Sequence, residues 1–388
     1  MPRLHLPCIF LFALCSAAFG NEFEQGIDAL NRKNCETAIV HFTAHIAAHP
    51  QDAAGYYKRG NSYVQAHEYA KAIADFTAAL RLNPSDARAY YNRGYAYAMI
   101  NETDKAIRDF TEAIRLDPRD HDAYYWRGSA YLLSFAYEKA IADFGETIRL
   151  NPKNPAAYIN RGDLFALKLQ HDKAIADYTA AIMLSPQDAS LYLKRGSLFN
   201  QKQDYTKGLA DFSDAIRLNP KEVQPYFERG LAYFVLRNYD KAISDLTEAI
   251  RISPTKPDAY GPRGVAYAHK KEYVKAAADY SEAIRLDPDD TLHMVLLASL
   301  LATCPQNSAR DGKRAVGLAL RACELLNWRD ADALATLAAA CAENHDFEQA
   351  IHWQKKAIEL TVATNREALD KAHLRLKLYE KGKPYHDN

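Results

Sequence analysis

Three histidines, His41, His45 and His49, stand four residues apart and share one helical face. Imidazoles at that spacing can hold a transition metal. A metal-binding module on this triplet is therefore one reading of the chain. The competing reading is packing: His41 faces Gln25 across a hairpin, and His45 occupies a position filled by Ala in other parts of the chain. A second set is larger. Arg59, Arg93, Arg127, Arg161, Arg195, Arg229 and Arg263 are each followed sixteen residues later by an aspartate: Asp75, Asp109, Asp143, Asp177, Asp211, Asp245 and Asp279. Alone, the arginines would make a basic stripe for an anion. Matched one for one by carboxylates, they read as structural ion pairs. Catalytic frames are missing: there is no phosphate-binding glycine loop, no H-E-x-x-H, and no Ser/His/Asp arrangement. The expectation is a non-enzyme with no cofactor.

The spacing of these residues belongs to a longer-range order. Gly recurs at 26, 60, 94, 128, 162, 196, 230 and 264, and Pro at 50, 84, 118, 152, 186, 220, 254 and 288, both in steps of 34. Such a period marks a repeat architecture. Within residues 87–120, Asp86 is placed to cap a first helix whose Tyr90, Gly94 and Tyr97 share a face. Polar residues from Asn101 to Asp104 mark a turn, Ala106, Phe110, Ala113 and Ile114 line a second helix, and Pro118 ends it. In an antiparallel hairpin of this length the Arg and Asp lie opposite each other. The exceptions agree: the first unit has Gln25 and His41 there, the ninth Leu297 and Leu318, and the tenth Leu337 and Trp353. In the eighth unit Gly261-Pro262 falls inside the first helix, so that helix should start late, near Pro262.

The pattern Tyr-x3-Gly-x2-Tyr-x8-Ala-x3-Phe-x2-Ala-x4-Pro resembles the tetratricopeptide repeat (TPR) in its bacterial, exported form. The resemblance implies an all-α, right-handed superhelical solenoid of about ten helix hairpins with a C-terminal capping helix. Eight units of 34 residues occupy 21–290, a ninth, longer-turn hairpin 291–330, a tenth 331–364, and a capping helix with tail 365–388. Leu369, Leu374, Leu376 and Leu378 are the expected apolar face of the cap.

In this family the first helices line a concave groove, which makes the chain a non-catalytic scaffold or adaptor for a protein or extended peptide. The expected groove residues are Tyr57, Tyr91, Asn92, Tyr125, Trp126, Asn160, Phe227 and Phe234. Aromatic anchors with polar neighbours suit a protein surface. One tetratricopeptide subclass clamps a C-terminal carboxylate with Lys and Asn. Asn61 and Asn92 match two of those positions, but Tyr57 replaces the lysine, and Asp122 and Trp126 replace basic residues. That clamp is not expected here.

Lys plus Arg equals Asp plus Glu at 49 each, which leaves no electrostatic case for nucleic acid. Arg3, the apolar run Leu6 to Leu14, and Ala18-Phe19-Gly20 have the form of a secretory signal over residues 1–20, with a mature start near Asn21. The run is too short to span a bilayer, and no later segment reads as transmembrane. The expectation is an exported chain, periplasmic or secreted. Of the mature cysteines, Cys323 and Cys341 fall on apolar helix positions and read as buried free thiols; Cys35 and Cys304 leave either state open. Self-association also stays open.

Overall fold

The computed structural model describes residues 22–361 and 366–387; the signal segment lies outside them. Helix is the only regular structure among the described residues. Local rules explain each hairpin. Asp86 accepts hydrogen bonds from Arg88 N at 3.0 Å and Ala89 N at 3.3 Å, which starts the first helix Ala87–Met99. Each first helix of the first eight hairpins and of the tenth then turns through one residue in the left-handed region. In the second hairpin this is His67, with φ 59°, and Glu68 N returns to Tyr63 O at 2.8 Å. That bond closes the helix end. The same position holds Asn101, Phe135, Leu169, Gln203, Arg237 and Lys271, and never glycine.

Packing within the hairpin depends on the repeat glycine. A Cβ on Gly60 would lie 2.7 Å from the Phe76 ring, so any side chain there would drive the helices apart. Phe76 and Ala72 are fully buried in the space that remains. Every second helix packs against its own first helix and, within each part of the chain, against the first helix that follows.

The chain divides into two units, residues 1–186 and 187–388. The first contains helix 22–31 with Cys35–Ala48, then Ala53–Gln65 with Tyr69–Leu82, and Ala87–Met99 with Thr103–Leu116. His121–Leu133 with Tyr137–Leu150, and Pro155–Leu167 with His171–Leu184, complete it.

The second unit runs through Ala189–Gln201 with Tyr205–Leu218, Val223–Val235 with Tyr239–Ile252, and Tyr260–His269 with Tyr273–Leu286. The late start expected near Pro262 is present only in part: the α-helix begins three residues later than the spacing from Val223 gives, but the chain is already helical at Pro257. A 3-10 turn, Pro257–Ala259, precedes an α-helix that begins at Tyr260, two residues before Pro262. Pro262 thereby falls in the first turn, where no backbone donor is needed. Thr291–Thr303 and Gly312–Leu325 form the ninth hairpin. Its long turn is braced by Arg310, which donates to Cys304 O at 2.9 Å, Asn307 Oδ1 at 2.7 Å and Glu343 Oε1 at 2.8 Å. Ala331–Glu343 and Phe347–Leu360 follow, then Arg366–Tyr379. This last helix buries the expected leucine face only in part: Leu369, Leu376 and Leu378 are half-buried, and Leu378 packs against the core. Leu374 is 52% exposed, whereas Ala372 and Tyr379 are buried. Tyr379 joins the largest core cluster beside Ala338 and Cys341. An aromatic ring at the helix end offers more apolar area than the leucines do. No described helix is long and apolar enough to cross a membrane.

Candidate functional site

All seven Arg–Asp pairs form, each as a two-pronged contact. Arg127 Nε donates to Asp143 Oδ2 and Nη2 to Oδ1, both at 2.8 Å. The pairs of Arg59, Arg93, Arg161, Arg195, Arg229 and Arg263 match it within 2.7–2.9 Å. Tyrosines flank the guanidinium: the Tyr124 and Tyr131 ring centres lie 5.6 and 5.8 Å from Arg127. Burial alone would lower the Arg127 pKa; the Asp143 partner more than reverses this and raises it. The carboxylates are the deeper members, with Asp143 buried and Arg127 half-buried.

A third member was missed in reading the sequence. Arg127 Nη1 donates to Thr111 Oγ1 of the preceding hairpin at 3.2 Å. The Thr111 hydroxyl gives its own proton to Ile107 O, so its lone pairs are free to accept. Thr43, Thr77, Ser213 and Thr247 serve Arg59, Arg93, Arg229 and Arg263 in the same way. The signal was a hydroxyl residue at 34-residue spacing, just after the core Phe, Tyr or Leu. Gly145 breaks it before Arg161, and Ser281 bonds Arg314 instead.

The aromatic row of the first unit is half-buried and bonded to its neighbours. The Tyr57, Tyr91 and Tyr125 rings lie 5.8–5.9 Å from Phe76, Phe110 and Phe144. Asn92 Nδ2 donates to Tyr57 Oη at 3.0 Å and Asn61 Oδ1 at 3.1 Å, and Asn160 Nδ2 donates to Tyr125 Oη at 3.3 Å. Asn92 thus spends both amide hydrogens between hairpins. Trp126 meets Tyr95 edge-on at 5.0 Å and Tyr125 at 5.8 Å. Burial raises the Tyr91 pKa well above its ordinary value.

In the second unit Phe227 and Phe234 line a cavity of about 770 Å³ with Leu231, Val265, Leu292 and Leu296. Glu222, Gln224, Lys256 and Asp258 also line it. Gly261 sits where the preceding hairpin has Phe227, and His293 fills part of the vacated space beside it. His293 is paired with Asp290.

The His45 and His49 rings lie 4.9 Å apart, whereas His41 turns to a different carboxylate. His41 Nδ1 lies 2.7 Å from Glu22 Oε2, and His45 Nε2 lies 2.8 Å from Asp52 Oδ2. Burial acts to raise the Asp52 pKa, but the His45 hydrogen bond and Ala54 N–H bring it below its ordinary value. Among the described residues no group of three His, Cys, Asp or Glu side chains is placed to hold a metal, and the metal-module reading is corrected accordingly. Cys35, Cys304, Cys323 and Cys341 carry free thiols, and only Cys35 is not buried. Burial pushes Cys323 and Cys341 up to about 11.

Models of the tetratricopeptide repeat match residues 57–110, 136–189, 198–261 and 257–290, and a TPR-repeat model matches 100–134. No curated protein sequence matches the chain. Among solved structures, YrrB, described as a TPR protein with an unusual peptide-binding site, is 24% identical with a TM-score of 0.45. The match covers 51% of this chain and 97% of YrrB. MamA is 26% identical over 44% of this chain and 94% of its own, with a TM-score of 0.41. Yeast Tom70 is 17% identical over 94% and 96%, with a TM-score of 0.39. With the 34-residue period, the glycine–aromatic packing and repeat models over more than half of its length, the chain belongs to the tetratricopeptide-repeat family.

Proposed function

We propose that this chain is an exported, non-catalytic scaffold, periplasmic or secreted, that holds a protein or an extended peptide against its first helices. The tetratricopeptide architecture is that of a protein-interaction scaffold. The observation that carries the finer reading is the cavity around Phe227 and Phe234, where apolar walls meet mixed-charge residues. Interface anchors are aromatic side chains in such pockets, with polar groups at the rim. Tyr57, Tyr91, Asn92, Tyr125, Trp126 and Asn160 belong to the proposed surface with their half-exposed edges; their other edges hold neighbouring hairpins together. Export rests on Arg3, the Leu6 to Leu14 run and Ala18-Phe19-Gly20.

The test pans a displayed library of extended peptides against the chain from Asn21 onward, then repeats binding with Phe227→Ala and Phe234→Ala. Loss of binding with an unchanged melt supports the groove. Enriched peptides that bind both variants as well as the parent refute it. Export is tested separately by N-terminal sequencing of the native protein; an intact Met1 in a cytosolic fraction refutes it.

A further inference from the structure

The regular hairpins fill one core position of the second helix with Phe, Tyr or Leu, from Phe42 and Phe76 to Leu246 and Tyr280. The tenth hairpin puts Gln354 there. Gln354 is fully buried, and neither its amide oxygen nor its nitrogen has a hydrogen-bond partner. Buried polar groups without partners are rare in native proteins, and each calls for an explanation. Gln354 lines a cavity of about 530 Å³ bounded by the ninth and tenth hairpins and the capping helix, within the range of small-molecule sites.

The same cavity gathers charges of both signs. The capping helix brings Arg375 and Lys371 to it, and the start of the tenth hairpin brings Asp330 and Asp332. Arg375 Nε is buried without a partner, and its guanidinium stacks on Tyr385 at 4.7 Å. Arg375 makes no ion pair among the described residues, unlike the seven ladder arginines. A planar guanidinium held flat and left unpaired is suited to a carboxylate. A primary amide donates and accepts, as a peptide group requires.

We infer that this cavity binds a small zwitterion of dipeptide size. Its carboxylate meets Arg375, its amide meets Gln354, and its ammonium meets the Asp330 and Asp332 carboxylates; Lys371 is already paired with Asp387 at 3.6 Å. The site is separate from the groove proposed above, although the two cavities share Leu292 and Leu296.

Calorimetric titration of the full chain with alanyl-alanine tests this, with N-acetyl-alanyl-alanine and alanyl-alanine amide each removing one charge. Alanyl-alanine should bind saturably, and each capped form about tenfold or more weakly, the loss of one charge-assisted hydrogen bond. Gln354→Leu should abolish binding without lowering the melting temperature, because Leu246 fills that position in the seventh hairpin. Arg375→Met, on the capping helix, should leave the dipeptide and its amide bound alike. Absence of saturable binding would mean a cavity filled by water only and would overturn the site. So would equal binding of the acid and its amide by the parent chain, or parent-like binding by Gln354→Leu. Failure of Phe227→Ala to affect peptide capture bears on the groove alone.

Discussion

Removing Arg127 should cost more than removing Arg127 and Asp143 together. Arg127→Leu strands a carboxylate that is 7% exposed and loses both prongs of the pair and the Thr111 bond. Breaking a pair of that burial costs about 3 kcal/mol, because the remaining charge is dehydrated without compensation. Arg127→Leu with Asp143→Leu removes both charges and imitates the tenth hairpin, where Leu337 and Trp353 stand at these positions. The remaining loss is then about 1 kcal/mol, since Thr111 is exposed and bonds water instead. The difference, about 2 kcal/mol, is roughly thirtyfold in the folding equilibrium. Asp143→Leu should fall between, because the freed guanidinium keeps Thr111 and reaches solvent more readily. Urea unfolding followed by circular dichroism, on the parent and all three variants, gives the coupling directly. An additive cycle, with coupling below about 0.5 kcal/mol, would refute the ion-pair account.

Leu169→Gly should stabilise the chain by about 0.5–1 kcal/mol, because Leu169 holds φ 57° while 77% exposed; a lower melting temperature contradicts this. Gly261→Ala should destabilise by about 1–3 kcal/mol, since the added Cβ would overlap the His293 ring and force apart the His293–Asp290 pair; an unchanged melt would show that His293 moves freely. Thiol labelling of the native chain from Asn21 at pH 8 should modify Cys35 first and leave Cys323 and Cys341 until denaturant is added. In the unfolded chain these two ionise near ~8.5, while the fold keeps them protonated to about 11. Above the unfolded value the unfolded state releases protons that the native state retains. Stability should therefore fall as pH rises between those values, and Cys323→Ala should flatten that slope.

The period, the hairpin and the facing of Arg and Asp could be read from the chain because they recur. A residue type that changes together with its partner, as Leu337 does with Trp353, reports contact without any coordinates. The late α-helical start at Tyr260 followed from one local rule about Pro262. What escaped were contacts whose chemistry is carried by common residues. A helical Thr has no distinctive mark, so Thr111 gave no hint that it accepts from Arg127. Left-handed turn residues are usually sought as glycine, and here Phe135 and Leu169 adopt the conformation. The first-helix aromatics were assigned by helix face alone. That assignment could not show that tyrosine is long enough to carry the Tyr57 hydroxyl to Asn92 of the next hairpin. The capping helix lies outside the repeat, where no neighbouring unit could indicate that Tyr379 and not Leu374 turns inward.

Gly145 carries a consequence for how the array comes apart. A stack in which each hairpin touches only its neighbours behaves as a linear chain of coupled elements, and cooperativity across any joint depends on the coupling there. At the second, third and fourth hairpins the arginine ties its own second helix to the hydroxyl of the hairpin before; at the fifth, Arg161 meets a glycine and the tie is missing. One hydrogen bond is worth about 1 kcal/mol, roughly a fivefold change in how often two elements open independently. Within residues 22–186, the joint between Gly145 and Arg161 is therefore where a partially opened state would first divide. Amide exchange should show the second to fourth hairpins losing protection as one block, separately from the fifth.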